Sequence, residues 1–304
     1  MRVDPYYSSN LVSSLDQAQA SEQTLTSELS SGVRVTSLSD DPVAAGENVV
    51  LVNQIQQDDS FTTNASLVTN QLQVADSALG SVVTELTSAI SLATSADNGT
   101  MNSSNVKSIA TQLSGILDEV ESLANTSYQG QYIFAGSKTS TAPFSTSTTT
   151  SPAVTTYNGD ENVNYLETPS GQKIQLNVPG DQIFLGSGSN SVFGALNSLI
   201  ADYSSGTVDT AQATSDTEAL STALSNVSQQ RVTIDNSITQ VTAASDAVSN
   251  VETQLTSAQS NLIQADTATL STQLSLSETQ QTALEDVIAE LNSSSNDLFS
   301  KLPA

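Results

Sequence analysis

Glycine-flanked serines are the first place to look for chemistry in this sequence. Gly186-Ser187-Gly188-Ser189 places serine between glycines, as in the turn that presents a serine nucleophile. Such a serine needs a general base beside it. The sequence contains no His and no Cys, so the usual partner of a serine nucleophile is missing. We therefore predict that this run is a flexible turn rather than a catalytic site.

Adjacent carboxylates are the second candidate for a catalytic site. They occur at Asp40-Asp41, Asp58-Asp59 and Asp160-Glu161. Neighbouring residues on a helix point in different directions, so these pairs are poor acid–base dyads. The stretch Asn158 to Asn162 has side chains that calcium accepts, but it lacks the full calcium-loop pattern. We predict no catalytic, cofactor-binding or metal-binding residues, no small-molecule substrate and no enzyme activity.

The charge balance limits the partners. Seven Lys and Arg residues stand against 32 Asp and Glu, which gives a formal net charge of -25. Such a surface repels phosphate, so we expect neither nucleic acid nor a membrane as a partner. The first residues lack the apolar segment of a signal peptide, so an exported chain is expected to leave the cell by a route without signal cleavage.

We predict long helices in two wide zones that contain no proline, Val43 to Ala142 and Gly180 to Leu302. Asp41-Pro42 has the residue types that begin a helix, and Asp97-Asn98-Gly99 is expected to end that helix. Ser104 is a candidate N-cap of the next helix, which is expected to end at Gly130. Apolar residues recur in these zones at steps of three and four, the spacing of coiled coils and long bundles. They include Ala65, Val68, Leu72, Ala75, Leu79, Val82 and Leu86, then Val106, Ile109, Leu113, Ile116 and Val120, and finally Val241, Ala244, Val248, Val251, Leu255 and Ala258. The register slips near Thr267–Leu276, which indicates a break.

The middle of the chain has a different composition. Nine of the thirteen aromatic residues lie between Tyr128 and Tyr203. Asn158-Gly159 is a strong hairpin signal, and Ile174, Leu176 and Val178 alternate with polar residues as in a strand. We predict a fold that is mainly α with inserted β: a long antiparallel helical bundle or coiled coil from the N- and C-terminal arms, and a small central β-rich domain with an aromatic core.

Both chain ends carry narrow apolar stripes that we predict to be an assembly interface. Their segments are short of good helix formers and marginal alone, so we expect them to order only on binding a partner. The interface residues are Leu11, Leu15, Ala18, Leu25 and Leu29 at one end and Leu284, Ile288, Leu291 and Leu298 at the other. The predicted domains are 1–40 (assembly helix, disordered in the monomer), 41–130 and 190–274 (two halves of a helical bundle), 131–189 (β-rich) and 275–304 (assembly helix, disordered in the monomer).

Several blocks together resemble the flagellin superfamily, and within it the hook–filament junction proteins. The most recognisable block runs from Gly32 and Arg34 to Ser39, Asp40, Asp41 and Pro42. Gly130-Gln131-Tyr132-Ile133-Phe134-Ala135-Gly136 and Gly180-Asp181-Gln182-Ile183-Phe184 are similar to landmarks of the family's β domain. The resemblance spans the whole chain.

This resemblance implies a structural role in the bacterial flagellum without a cofactor. It implies export through the flagellar type III apparatus with an export chaperone, and an extracellular place in a ring of identical copies between hook-associated protein 1 and flagellin. A flagellin-type filament subunit is the alternative, and the Asp40-Asp41-Pro42 block favours the junction protein.

Overall fold

The structure is a computed structural model that describes residues 7–97, 101–147, 152–186 and 191–300; the side chains of Ser8, Asn292 and residues 294–300 are outside the description. The helices are α1 (Tyr7–Ser31), α2 (Pro42–Ala96), α3 (Ser103–Ala124), α4 (Val192–Ser204), α5 (Thr210–Ile263) and α6 (Thr267–Ser300). The strands are β1 (Ser127–Tyr128), β2 (Gln131–Tyr132), β3 (Phe144–Ser147), β4 (Val154–Tyr157), β5 (Tyr165–Glu167) and β6 (Lys173–Gln175). A π-helical turn occupies Asp181–Leu185. The predicted fold class, mainly α with a small β insertion, is confirmed.

The chain divides into two units, and α2 and α5 contribute to both. One unit contains Met1–Gln57 and Val251–Ala304, and the other contains Asp58–Asn250. The second unit holds most of the core, and Leu79, Val82 and Leu86 of α2 are fully buried in it. The steps of three and four in α2 and α3 therefore predicted the buried face correctly. On α5 the prediction is wrong at Val251 and Ala258, which are exposed, whereas Leu255 is half-buried as predicted. Gln259, next to Ala258, is half-buried instead.

Two predicted helix signals need correction. The cap of α3 is Asn102, whose side chain accepts a hydrogen bond from Asn105 N, rather than Ser104. Helix α3 ends at Ala124, and Gly130, with φ 79°, instead lies in the turn between β1 and β2. Helix α2 ends at Ala96, directly before the predicted stop at Asp97; Asn98 and Gly99 fall outside the described residues.

The β part consists of three two-stranded antiparallel sheets, β1–β2, β3–β4 and β5–β6. The hairpin predicted at Asn158-Gly159 is wrong, because β4 pairs with the preceding strand β3 through Phe144 and Tyr157. The residues after Gly159 fold back instead: Asp160 accepts a 2.7 Å hydrogen bond from Ser137 N. The strand predicted around Ile174 is short, since β6 ends at Gln175 and Leu176 N donates to Asn164 O outside the strands.

An aromatic cluster forms the core of this part, as predicted. The Phe144 ring centroid lies 5.1–5.2 Å from those of Tyr157, Phe184 and Phe193. Gly180 is packed so closely here that an added Cβ would lie 2.7 Å from the Phe144 ring. The cluster belongs to the same continuous core as α2 and α3, so the β part is anchored to the helices by buried rings.

Candidate assembly interface

Two helix breaks meet at one point of the first unit, which we call the joint: residues 32–41 and 264–266. Helix α1 ends at Ser31, and Gly32 follows with φ 70°, a conformation that glycine adopts without a Cβ penalty. Val33 then pairs with Gln264 in an antiparallel bridge. Arg34 N donates to Ile263 O at 2.7 Å, and Ala265 N donates to Gly32 O at 3.0 Å. The two arms are thus bonded together where both are interrupted. The C-terminal break lies at Gln264–Asp266, slightly before the predicted Thr267–Leu276.

Arg34 holds both sides of the joint. Its Nη1 lies 3.1 Å from Asp41 Oδ2, and its Nη2 donates to Leu262 O at 3.2 Å. The two charged side chains remain 48% and 31% exposed. An ion pair so open to solvent contributes only about 0–1 kcal/mol. Arg34 therefore fixes the geometry of the joint more than its stability.

Asp40 and Asp41 organise the loop between α1 and α2. Asp40 accepts four hydrogen bonds, from the backbone N–H and hydroxyl groups of Thr36 and Ser37, and these lower its pKa to about 2. Ser39 Oγ lies 2.6 Å from Ser37 Oγ. Asp41 Oδ1 accepts from Val43 N and Ala44 N, which caps α2 before Pro42 and lowers the pKa of Asp41, mainly through the Ala44 bond. The recognisable sequence block is thus the part of the joint that begins α2.

Helices α1 and α6 form an antiparallel pair. Gln264, before α6, pairs with Val33, after α1. Farther along α6, Ser277 Oγ donates to the carbonyl O of the earlier residue Ala18 at 3.3 Å. The least exposed positions of each helix form a stripe along this pair, which we call the seam. On α1 they are Leu11, Leu15, Ala18, Glu22, Leu25, Glu28 and Leu29, all half-buried. On α6 they are Leu270, Leu274, Ser277, Gln281, Leu284, Ile288 and Leu291.

The seam contains every predicted interface residue whose side chain is described. Leu298 lies outside the described side chains. Sequence reasoning missed Leu270, Leu274 and Ser277, although they continue the steps of three and four back from Leu284. Ser277 and Gln281 hid the pattern, because polar residues at two successive seam positions look like a break.

A groove of about 740 Å³ opens along the α1/α6 pair. It is lined from α1 by Ser14, Gln17, Ala18, Ser21 and Leu25, and from α6 by Gln273, Leu276, Ser277, Gln280, Ala283, Leu284 and Val287. All of these residues are uncharged. The groove therefore shares Ala18, Leu25, Ser277 and Leu284 with the seam and extends beyond it onto exposed residues of both helices.

None of the helices, over the described ranges, combines the length and apolarity that crossing a membrane requires. Across the same ranges no three acidic side chains are grouped as metal ligands would be.

The comparisons with known proteins point to flagellar structural proteins. Residues 5–139 match the family model of the bacterial flagellin N-terminal helical region. The fold is similar to a solved flagellar hook-associated protein of Vibrio parahaemolyticus, with a TM-score of 0.68 at 21% identity over 74% of this chain and 100% of that one. It is also similar to the flagellar junction protein FlgL from Legionella pneumophila, with a TM-score of 0.57 at 15% identity over 72% of this chain and 100% of that one. These likenesses concern the fold.

The sequence comparison is more specific. The chain is 35% identical over 187 residues to flagellar hook-associated protein 3 of Salmonella typhimurium (strain LT2). This alignment covers 61% of the chain and 57% of the Salmonella protein, little more than half of its length. The resemblance to flagellar hook-associated protein 3 and the flagellin superfamily is thereby confirmed.

Proposed function

We propose that this chain is a structural subunit of the bacterial flagellum that forms the junction between hook and filament. The observation that carries the proposal is the α1/α6 pair, in which most seam positions remain partly exposed. Every α1 side chain with a described burial is at least partly exposed, whereas Leu79 and Leu86 in the other unit are 0% exposed. A helix pair so thinly covered is suited to being completed by neighbouring subunits. The likeness to flagellar hook-associated protein 3 supports the flagellum as the assembly in which this happens.

In this proposal the terminal helices of neighbouring copies pack side by side into a coiled-coil tube. Leu11, Leu15, Ala18, Leu25 and Leu29 would be buried there together with Leu284, Ile288, Leu291 and Leu298. The β part would face outward. Copies would form a ring, with hook-associated protein 1 on one side and flagellin on the other.

Export and folding follow from the same proposal. The chain would pass through the flagellar type III apparatus with an export chaperone and act outside the cell. Residues 1–40 and 275–304 would gain their full stability only when copies pack together. The half-buried seam supports this, because a helix pair with little buried surface has little to offset the entropy of ordering it.

Deleting the gene in the bacterium that encodes it tests the role. We expect hooks without filaments, with flagellin secreted into the medium, and recovery of filaments when the intact chain is supplied. A filament subunit is the second candidate, since the matching family model describes a flagellin region. Under that alternative flagellin would not accumulate outside the cell, and purified filaments would consist of this chain. Filaments of normal length on the deletion strain would contradict both roles.

A further inference from the structure

Asn158 and Gly159 form an Asn-Gly sequence in the turn that follows β4, and the fold requires the glycine. Asn158 is exposed, and its backbone N donates to Pro143 O at 2.7 Å. A Cβ added at Gly159 would overlap the Tyr157 ring, so a larger residue fits there only if the ring moves. The turn therefore keeps a glycine directly after an exposed asparagine.

This sequence exposes the side-chain amide of Asn158 to attack from its own main chain. The backbone nitrogen after an asparagine can attack the asparagine Cγ, and a side chain on the attacking residue hinders that approach. Glycine has no Cβ and the widest choice of φ and ψ, so it hinders the approach least. Gly159 N has no hydrogen-bond partner among the described residues, so this nitrogen is not engaged elsewhere.

Lys138 places a positive charge on the same turn. Its Nζ donates to Gly159 O at 3.2 Å and to Asn158 O at 3.5 Å. The attack requires Gly159 N to lose its proton, and Asn158 O shares the resulting negative charge because both atoms belong to one peptide group. A cation at that oxygen favours the charged form. The Asp160 carboxylate has the opposite effect, but the N–H and hydroxyl of Ser137 both donate to it and disperse its charge.

We propose that Asn158 is a site of spontaneous deamidation and that Lys138 accelerates the reaction. Gly159 N loses its proton and forms a bond to Asn158 Cγ, the bond from Cγ to Nδ2 breaks, and Nδ2 leaves as ammonia with that proton. Water then opens the cyclic imide at either of its two carbonyls. The product is an aspartyl or an isoaspartyl residue at position 158. The reaction needs only water, so it does not depend on the proposed function.

The isoaspartyl product would disturb the aromatic core, because it lengthens the main chain by one carbon at position 158. Before that carbon, Asn158 N is bonded to Pro143 O. After it, Asp160 N donates to Ala135 O at 3.2 Å. A longer chain between these two bonds cannot keep the geometry of both. Tyr157, one of the rings of the aromatic cluster, directly precedes this point and would be displaced with it.

Mass spectrometry of the folded full chain tests the site. Purified chain is kept at mildly alkaline pH, and its proteolytic peptides are followed over time for the exchange of NH2 for OH. Asn162 and Asn164 are matched controls in the same stretch, because the side chains of Val163 and Tyr165 hinder the corresponding attack. We expect aspartyl and isoaspartyl residues at position 158 well before any change at the two controls. An unchanged Asn158, or conversion of all three positions at one rate, would overturn the proposal.

Substitutions of Lys138 test its part in the reaction. Lys138→Gln should slow the conversion about fivefold, the factor that corresponds to the interaction of two unit charges about 4 Å apart in water. Lys138→Arg keeps the charge and should restore most of the wild-type rate. Lys173→Gln removes the same charge at an exposed position of β6 and should leave the rate unchanged. Circular dichroism shows that each variant is folded, and equal rates in Lys138→Gln and Lys173→Gln would refute the role of Lys138.

A further variant separates the added charge from the longer main chain. Asn158→Asp carries the negative charge of the aspartyl product on an unaltered main chain. Aged chain with an isoaspartyl residue at this position should therefore unfold at a lower urea concentration than Asn158→Asp. Equal midpoints would refute the effect on the aromatic core. None of these results depends on whether the gene deletion supports the junction role.

Discussion

Asp216 in the second turn of α5 is a buried carboxyl with too few hydrogen-bond donors. It is 8% exposed, and its Oδ1 accepts from Gln212 Nε2 at 3.0 Å. Its Oδ2 is shielded from solvent and has no hydrogen-bond partner among the described residues. Burial raises the pKa of Asp216 above its usual value of 3.8, against the effect of the Gln212 bond, and nearby Asp202 raises it further.

This raised pKa makes the stability of the 58–250 unit depend on pH. The folded chain holds the Asp216 proton more tightly than the unfolded chain does. Its contribution to stability is therefore fully present below about pH 3.8 and is lost as the pH rises through the pKa of the folded state. Above that pKa the carboxylate carries its charge at a buried site where Oδ2 has no hydrogen-bond partner among the described residues.

Asp216→Asn removes that charge and keeps an oxygen to accept the Gln212 bond. The new amide NH2 takes the place of the unpartnered Oδ2, but a buried neutral polar group costs less than a buried charge, so we expect the variant to be more stable at pH 7 by about 1 kcal/mol. For a unit of this size, a gain of 1 kcal/mol raises Tm by about 2–4 °C. The advantage should shrink as the pH falls through the raised pKa of Asp216, because the wild-type carboxyl then takes up its proton.

Thermal unfolding by circular dichroism at pH 7 and pH 4 measures this difference. Asp246→Asn is the matched control, since Asp246 is exposed on the same helix and its replacement changes the net charge equally. We expect no more than about 0.5 kcal/mol from the control at either pH. A variant at position 216 that is less stable than wild type at pH 7, or whose gain is the same at both values, would refute the uncompensated-charge explanation.

Two further outcomes follow from packing. Phe144→Ala should lower the free energy of unfolding by about 3–5 kcal/mol, because it removes the ring at the centre of the aromatic cluster. The control Val154→Ala, at a 54% exposed position, should change it by less than about 0.5 kcal/mol. Urea unfolding measures both, and equal losses would count against a shared aromatic core. Limited proteolysis of dilute chain should remove roughly residues 1–40 and 275–304 first, because the seam is half-exposed, and uniform resistance of both ends would speak against ends that are stabilised by assembly.

The long helices could be predicted because their cause is local. Apolar residues at steps of three and four, the absence of proline and the Asp41-Pro42 start are all readable from the sequence. The buried face of α2 follows from them almost residue by residue. The prediction failed on α5 at Val251 and Ala258, and the half-buried positions there include Gln259, whose Nε2 donates to Asn48 Oδ1 at 2.9 Å. A half-buried polar residue whose partner lies some two hundred positions away in the chain has no local sequence signal.

The β part was predictable in composition but not in pairing. Its aromatic content predicted the core formed by Phe144, Phe184 and Phe193. Its hairpin signal was misleading, because the Asn158-Gly159 turn is held by Pro143 O, Ala135 O and Ser137 rather than by a following strand. Hydrogen bonds to residues about twenty positions earlier decide this turn, and turn propensity does not describe them.

For the seam and the joint, the sequence predicted the residues involved but not which segments contact each other. The sequence located Leu11 to Leu29 and Leu284 to Leu291 as stripes that need partners, and in the structure each stripe lies along the α1/α6 pair. Nothing in the spacing of Gly32, Arg34 or Asp41 indicates that their loop meets the break at Gln264, since that contact joins residues more than two hundred positions apart. Which groove remains open depends on how the two helices are paired, so it becomes visible only in the structure.

The negative charge of the α1/α6 pair opposes association between copies of the chain. Eight carboxylates on α1 and α6 without a Lys or Arg repel their counterparts on other copies in dilute solution. In the proposed function, the end of the hook would hold copies close and aligned, and this would offset the repulsion there and not in free solution.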